Sequence, residues 1–180
     1  EILAAVNSRA LSEDRKSVWR YDDDPFTDGP LDFQFTDKGF LQNEMMDAGS
    51  FTRPAVADIN GDGLSDLVVG GYYYAEGSLT RLASLWLFRN DGSVSQPYFH
   101  LISRDYLGMS AFATIPTFDF SPACGDSDGD GSVDLSVGEQ NGKLFFFKNN
   151  ALPGDAMSFA SAIYPYMNIN VGVSATPQIA

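Results

Sequence analysis

The sequence predicts an all-β chain built from repeated four-stranded antiparallel meanders, on three observations. First, two segments are near-copies: Asp58-Ile59-Asn60-Gly61-Asp62-Gly63-Leu64-Ser65-Asp66 and Asp126-Ser127-Asp128-Gly129-Asp130-Gly131-Ser132-Val133-Asp134. Second, each is approached through a proline segment, Pro54-Ala55-Val56-Ala57 and Pro122-Ala123-Cys124-Gly125, at an offset of 122 − 54 = 68 residues. Each also runs out into an apolar stretch, Leu67-Val68-Val69-Gly70 and Leu135-Ser136-Val137-Gly138, whose β-branched character reads as strand. Third, an aromatic strand ending in a basic residue and Asn follows each copy: Leu85-Trp86-Leu87-Phe88-Arg89-Asn90 and Leu144-Phe145-Phe146-Phe147-Lys148-Asn149. Long amphipathic helical patterns are not evident, and 17 Gly with 9 Pro suit a chain with many turns.

The strands of one unit are A, leading into the loop; B, leaving it; C, the aromatic strand; and D, after a Pro- or Gly-containing turn. D is predicted at Tyr98-Phe99-His100-Leu101 and Ser158-Phe159-Ala160-Ser161. The N-terminal stretch fits the same template from B onward. Glu1-Ile2-Leu3-Ala4-Ala5 matches B, Ser17-Val18-Trp19-Arg20-Tyr21 matches C, and Asp32-Phe33-Gln34-Phe35 matches D. Thr176-Pro177-Gln178-Ile179-Ala180 repeats the approach of strand A. The units are therefore 1–53, 54–121 and 122–175, with the start of the next at 176–180. A meander repeating at this length suggests β-propeller blades. About three blades of a larger propeller are expected, since terminal strands without partners leave open sheet edges.

In both copies oxygen side chains recur at positions 1, 3, 5 and 9, with Gly at 6. Alternate residues point inward, Gly allows the sharp turn, and a hard cation such as Ca²⁺ takes six to eight oxygens at about 2.3–2.6 Å. The first loop offers side chains of Asp58, Asn60, Asp62 and Asp66 with the carbonyl of Leu64. The second offers Asp126, Asp128, Asp130 and Asp134 with the carbonyl of Ser132. One Ca²⁺ per loop is expected, and the extra carboxylate predicts tighter binding in the second. An EF-hand would place an acidic residue at position 12 between helices; Val69 and Val137 stand there, on predicted strands. A hydrogen-bonded acidic turn without an ion is the alternative, and two copies at the same spacing weigh against it.

The pattern Asp-x-(Asn/Asp)-x-Asp-Gly-x-x-Asp-Leu-x-Val-Gly, approached by a strand with Pro, resembles the FG-GAP/VCBS repeat of integrin-α-type propellers and many bacterial surface proteins. The resemblance extends over nearly all 180 residues, with the two loops its specific part. Phe40-Leu41, Met45-Met46-Asp47, the Phe-Arg-Asn and Phe-Lys-Asn strand ends and the Gly142-Lys143-Leu144-Phe145 hairpin are also similar to repeat proteins exported by Bacteroidetes. The resemblance implies Ca²⁺ as a structural ion and the remainder of a propeller as partner.

Composition narrows the partners. The chain is 44% hydrophobic and 13% aromatic, values of a packed globular protein. Its net charge of −13 argues against nucleic acid, which needs a basic face, and against anionic membrane surfaces. No apolar run of about 18 residues predicts a membrane-inserted helix. Cys124 is alone, so no intrachain disulfide forms. Open loops of this kind suit the millimolar Ca²⁺ outside cells, so a secreted or cell-surface location is expected.

On the face opposite the loops, Tyr72, Tyr73 and Tyr74 are the candidate ligand contact, since adjacent rings could stack on sugar or peptide. Core packing of Tyr73 is the competing reading. Trp19, Trp86 and the Met45-Met46 and Met109 side chains read as packing, and Asp22-Asp23-Asp24 as a solvated turn. His100 falls on a D strand, and no Ser-His-Asp or Cys-His arrangement can be assembled around it. Three functions follow: a non-catalytic, Ca²⁺-stabilised recognition or adhesion segment; a fragment of a propeller-fold polysaccharide lyase or other carbohydrate-active enzyme; or an architectural spacer. The first is the preferred reading.

Overall fold

A computed structural model describes residues 2–5, 18–23, 33–37, 49–74, 80–113 and 118–179. The chain forms two compact units, Glu1–Asp47 with Tyr74–Thr80, and Ala48–Tyr73 with Arg81–Ala180. The strands are β1 (Ile2–Ala5), β2 (Val18–Asp23), β3 (Phe33–Asp37), β4 (Ser50–Ala57), β5 (Asp66–Tyr74), β6 (Arg81–Asn90), β7 (Phe99–Ser103), β8 (Ser121–Gly125), β9 (Asp134–Gly138) and β10 (Leu144–Phe147). They form three antiparallel sheets in orders β1-β2-β3, β4-β5-β6-β7 and β8-β9-β10. The chain is thus all-β, and β4 to β7 make one complete four-stranded meander.

The internal repeat is visible in the strand register. Pro54 pairs with Val69, Ala55 with Val68 and Ala57 with Asp66. Pro122 pairs with Val137, Ala123 with Ser136 and Gly125 with Asp134, which is the same set shifted by 68. Both prolines lie on edge strands, where a missing N–H costs no ladder bond. Alternation decides the faces. Ala83, Leu85 and Leu87 of β6 join Val68, Met109, Phe118, Phe120, Leu135, Val137, Phe145 and Phe147 in the main core between the second and third sheets. Burying each large side chain there contributes about 1.5–3 kcal/mol. The opposite face of the second sheet buries Val69, Trp86 and Phe88.

Two glycines show how the sheets approach one another. A Cβ on Gly70 would lie 2.2 Å from the Phe120 carbonyl oxygen, with Pro122 Cδ at 2.8 Å. A Cβ on Gly138 would lie 2.1 Å from the Ala175 carbonyl oxygen, with Pro177 Cδ at 2.8 Å. The segment entering strand A of one unit therefore lies over strand B of the unit before it, and only Gly leaves room for that backbone.

Three expectations are corrected. The predicted fourth strand of the third sheet is reduced to isolated bridges, Asn149 with Phe159 and Phe146 with Ile163. Residues 176–179 take the place of a strand A without forming one. Asp22 and Asp23 belong to β2 rather than a turn and pair with Gln34 and Phe33. The expectations for Met45-Met46, for Phe40-Leu41 and for Asp24 lie outside the described residues. Among the described residues no helix is long and apolar enough to cross a membrane.

Candidate metal centre

The two acidic loops connect β4 to β5 and β8 to β9, and their backbone hydrogen bonds follow one plan. At position 1, Asp58 Oδ1 accepts from the N–H of Gly61 (2.8 Å) and Oδ2 from that of Gly63 (2.8 Å). Asp126 does the same with Gly129 (2.7 Å) and Gly131 (2.9 Å). At position 5, Asp62 Oδ1 accepts from Leu64 N–H (2.8 Å) and Asp130 Oδ1 from Ser132 N–H (2.9 Å). At position 3, Asn60 and Asp128 each accept from the N–H two residues on, at 3.2 and 3.3 Å. The Gly at position 6 has φ of +83° in Gly63 and +88° in Gly131, a left-handed conformation that a Cβ disfavours.

Position 9 is different in kind. Asp66 and Asp134 are buried, 1% and 0% exposed, and both oxygens of each carboxylate are engaged. Asp66 accepts from Ile59 N–H (3.1 Å) and Asn90 N–H (2.8 Å). Asp134 accepts from Ser127 N–H (3.1 Å) and Asn149 N–H (2.9 Å). The buried asparagines pass the order on to the next turn. Asn90 Oδ1 accepts from Gly92 and Tyr98 N–H, and Asn149 Oδ1 from Ala151 and Ser158 N–H. Each position-9 Asp therefore ties its loop to the end of strand C.

The loops differ at their open side. Oxygens of Asp126, Asp128 and Asp130 all lie within 4.8 Å of one another on the surface, a donor set that suits a hard cation. Asp134, the fourth expected side-chain ligand, is not part of this group. The Lys148 ammonium donates to Asp128 Oδ2 and, at 2.8 Å, to Asp130 Oδ2. That ammonium holds the Asp130 carboxyl below its usual range, helped by the Ser132 N–H. The Asp128 and Asp130 carboxylates in turn raise Lys148. In the first loop, Asn60 Nδ2 donates to Asp62 Oδ2 at 2.8 Å. The position-7 residues are Leu64 and Ser132. Leu64 is half-buried, and buried Ser132 donates its hydroxyl to the Ala151 carbonyl (2.8 Å).

A cleft of about 250 Å³ lies between the loops, lined by Asp58, Cys124, Gly131, Asn149, Pro153 and Met157 among others. Its floor is the first loop's own anchor, since Met157 N–H donates to the Ile59 carbonyl (2.8 Å). Burial pushes the Cys124 thiol up to about 12, which disfavours the thiolate. His100 is exposed on edge strand β7, its Nδ1 3.5 Å from an Asp91 carboxylate that Arg89 already holds.

The tyrosines are not a row of free rings. They lie on β5 rather than in the turn beyond it. Tyr73 packs edge-on against buried Trp86, centroids 5.7 Å apart. Tyr72 is covered by Phe51 on one face (5.6 Å) and by the Arg81 guanidinium (3.6 Å). Tyr74 alone is exposed. Sequence reasoning did not single out Lys148, Asn90 or Asn149 as parts of the site. The shared basic-Asn ending of strand C was the available signal.

These sheets and loops are those of a propeller-type repeat. Residues 50–86, which run from strand A through the first loop into strand C, match the family model of the FG-GAP repeat, and this segment is an FG-GAP repeat. No curated protein and no solved structure matches the chain.

Proposed function

We propose that this chain is a non-catalytic, Ca²⁺-stabilised propeller segment of a secreted or cell-surface protein that serves recognition or adhesion toward a protein or carbohydrate. The observation that carries the reading is the convergence of the Asp126, Asp128 and Asp130 oxygens within 4.8 Å, in a loop whose wiring recurs in the FG-GAP repeat itself. Asp126, Asp128, Asp130 and Asp134 with the Ser132 carbonyl hold the ion in the second loop. Asp58, Asn60, Asp62 and Asp66 with the Leu64 carbonyl hold it in the first. The ion is a staple: it neutralises the exposed carboxylates and fixes the loop against the strand C turn. Exposed sites of this openness match extracellular Ca²⁺ levels.

The remainder of a propeller is the partner that the third sheet's surface fits. In the second sheet the connection after strand D turns through Leu107 and Gly108, both at positive φ, and buries Met109 completely. The third sheet's connection turns through Met167 and Asn168, again at positive φ, and leaves Met167, Val171 and Val173 exposed. A further blade would cover them as the third sheet covers Met109.

Calorimetric titration with Ca²⁺ and melting with and without chelator test the reading. Two sites and a higher melting temperature are expected, with one site lost in Asp130→Ala. No uptake at millimolar Ca²⁺ refutes it.

A further inference from the structure

We propose that Lys148 is a built-in cation of the second loop, which a metal ion has to displace in order to bind. The inference rests on reading the loops as Ca²⁺ sites. In Asp128 and Asp130 the Oδ1 atoms are committed to backbone N–H groups. The Oδ2 atoms are left to face a common point, and the Lys148 ammonium bridges both. Its position is imposed by its neighbours. Phe147 is buried in the core on one side, and Asn149 is buried and bonded to Asp134 on the other. The lysine side chain between them is partly exposed at the loop.

The first repeat shows that this arrangement is specific to the second loop. Arg89 stands at the same place, between buried Phe88 and buried Asn90. It donates instead to Asp91, two residues on, at 2.5 Å. The residue corresponding to Asp91 in the second repeat is Asn150, which carries no charge to hold a cation. Arg89 has a carboxylate of its own, and among the described residues Lys148 pairs with the loop.

The charge count then changes the order of affinities. The second loop carries four carboxylates, Asp126, Asp128, Asp130 and Asp134, and with Lys148 sums to −4 + 1 = −3. The first carries Asp58, Asp62 and Asp66, which is −3 with Asn60 neutral. The advantage that an extra carboxylate gives the second loop is cancelled by its own lysine. Wild-type affinities of the two loops should therefore lie close together.

The test uses the 180-residue chain with the first loop silenced by Asp62→Ala, and Ca²⁺ as the probe in calorimetry. Lys148→Met keeps the length of the side chain and removes its charge. It should tighten Ca²⁺ at the second loop by roughly fivefold, the upper end for a surface ion pair. In chelator the same variant should melt below wild type, because Asp128 and Asp130 lose the ammonium that bridges them. Asn150→Asp gives Lys148 a partner like Asp91 and should also tighten the second loop. That gain should largely vanish in the Lys148→Met background, a non-additivity that added negative charge alone does not produce. Ca²⁺ uptake by wild type that is equally tight in Lys148→Met overturns the inference and leaves the Ca²⁺ reading standing. Absence of uptake in wild type and in Lys148→Met overturns both. Uptake by the second loop only in Lys148→Met supports the inference.

Discussion

Replacing Asp134 by Ala separates what the loop owes to the fold from what it owes to the ion. Asp134 is fully buried and accepts one N–H on each oxygen, from Ser127 and from Asn149. Ala leaves the Asn149 N–H in the interior without a partner, at a cost of about 1–3 kcal/mol. The Ser127 N–H lies at the surface, where water replaces part of its bond, so a further ~1 kcal/mol is lost. A total near 3 kcal/mol lowers the melting temperature by roughly 6–12 °C for a chain of this length. Asp134→Asn keeps one carbonyl acceptor and should fall between. The assay is urea unfolding in chelator, where no ion contributes. Asp130→Ala is the contrast: Asp130 is exposed and holds one backbone N–H, that of Ser132, so its loss should cost less than Asp134→Ala in chelator and should remove the second loop's share of the gain on adding Ca²⁺. If Asp134→Ala unfolds with wild type in chelator and differs only when Ca²⁺ is present, position 9 is purely an ion ligand and the reasoning is wrong.

At a hundredfold excess over its dissociation constant, Ca²⁺ should stabilise wild type by about 2.7 kcal/mol per site, read as a rise in the unfolding midpoint that Asp130→Ala loses for one site. Gly138→Ala should destabilise the chain by about 2 kcal/mol or more, because its Cβ would sit 2.1 Å from the Ala175 carbonyl oxygen and backbone has to move; an unchanged melting curve would count against the stacking. Cys124, with its thiol at about 12, is about one part in ten thousand thiolate at pH 8, so a disulfide reagent should label it slowly when folded and quickly in urea. Tyr72→Ala should loosen Arg81, which lies on its ring and pairs with Asp119 at 3.2 Å, and should lower the melting temperature; ligand loss without any change in stability would instead revive Tyr72 as a contact residue.

The strands and loops were legible because their signals are local. Proline before an acidic turn, Gly at position 6 and a β-branched exit repeat at 68 residues, and the strand register repeats at the same offset. The fourth strand of the third sheet was not legible. Ser158-Phe159-Ala160-Ser161 has the same look as the segment around Phe99, yet it pairs only at isolated bridges, and strand pairing depends on partners that a short segment does not encode. The packing of the tyrosines was hard to read for a related reason. Three adjacent rings suggest a platform, but on a strand successive side chains face opposite ways, which sends Tyr73 onto Trp86 and Tyr72 under Phe51. Lys148 was hidden by the symmetry of the repeat: Arg89 and Lys148 look equivalent until Asp91 is set against Asn150.

Four carboxylates in one short loop repel one another when no cation is present. The hydrogen bonds show how the fold limits that repulsion. Asp126 and Asp134 have both oxygens turned to backbone N–H groups, and bonds to ionised acceptors are the stronger kind. The Oδ2 atoms of Asp128 and Asp130 are bridged by the Lys148 ammonium. The wiring can therefore hold the loop's shape without an ion, so that on the proposed reading Ca²⁺ would meet a formed site instead of folding one. Loop amides in the second repeat should accordingly stay protected from hydrogen exchange in chelator at Gly129, Gly131 and Asn149, whose N–H groups these carboxylates hold. Exchange there at the rate of an unfolded chain until Ca²⁺ is added would mean that the metal, and not the backbone wiring, builds the loop.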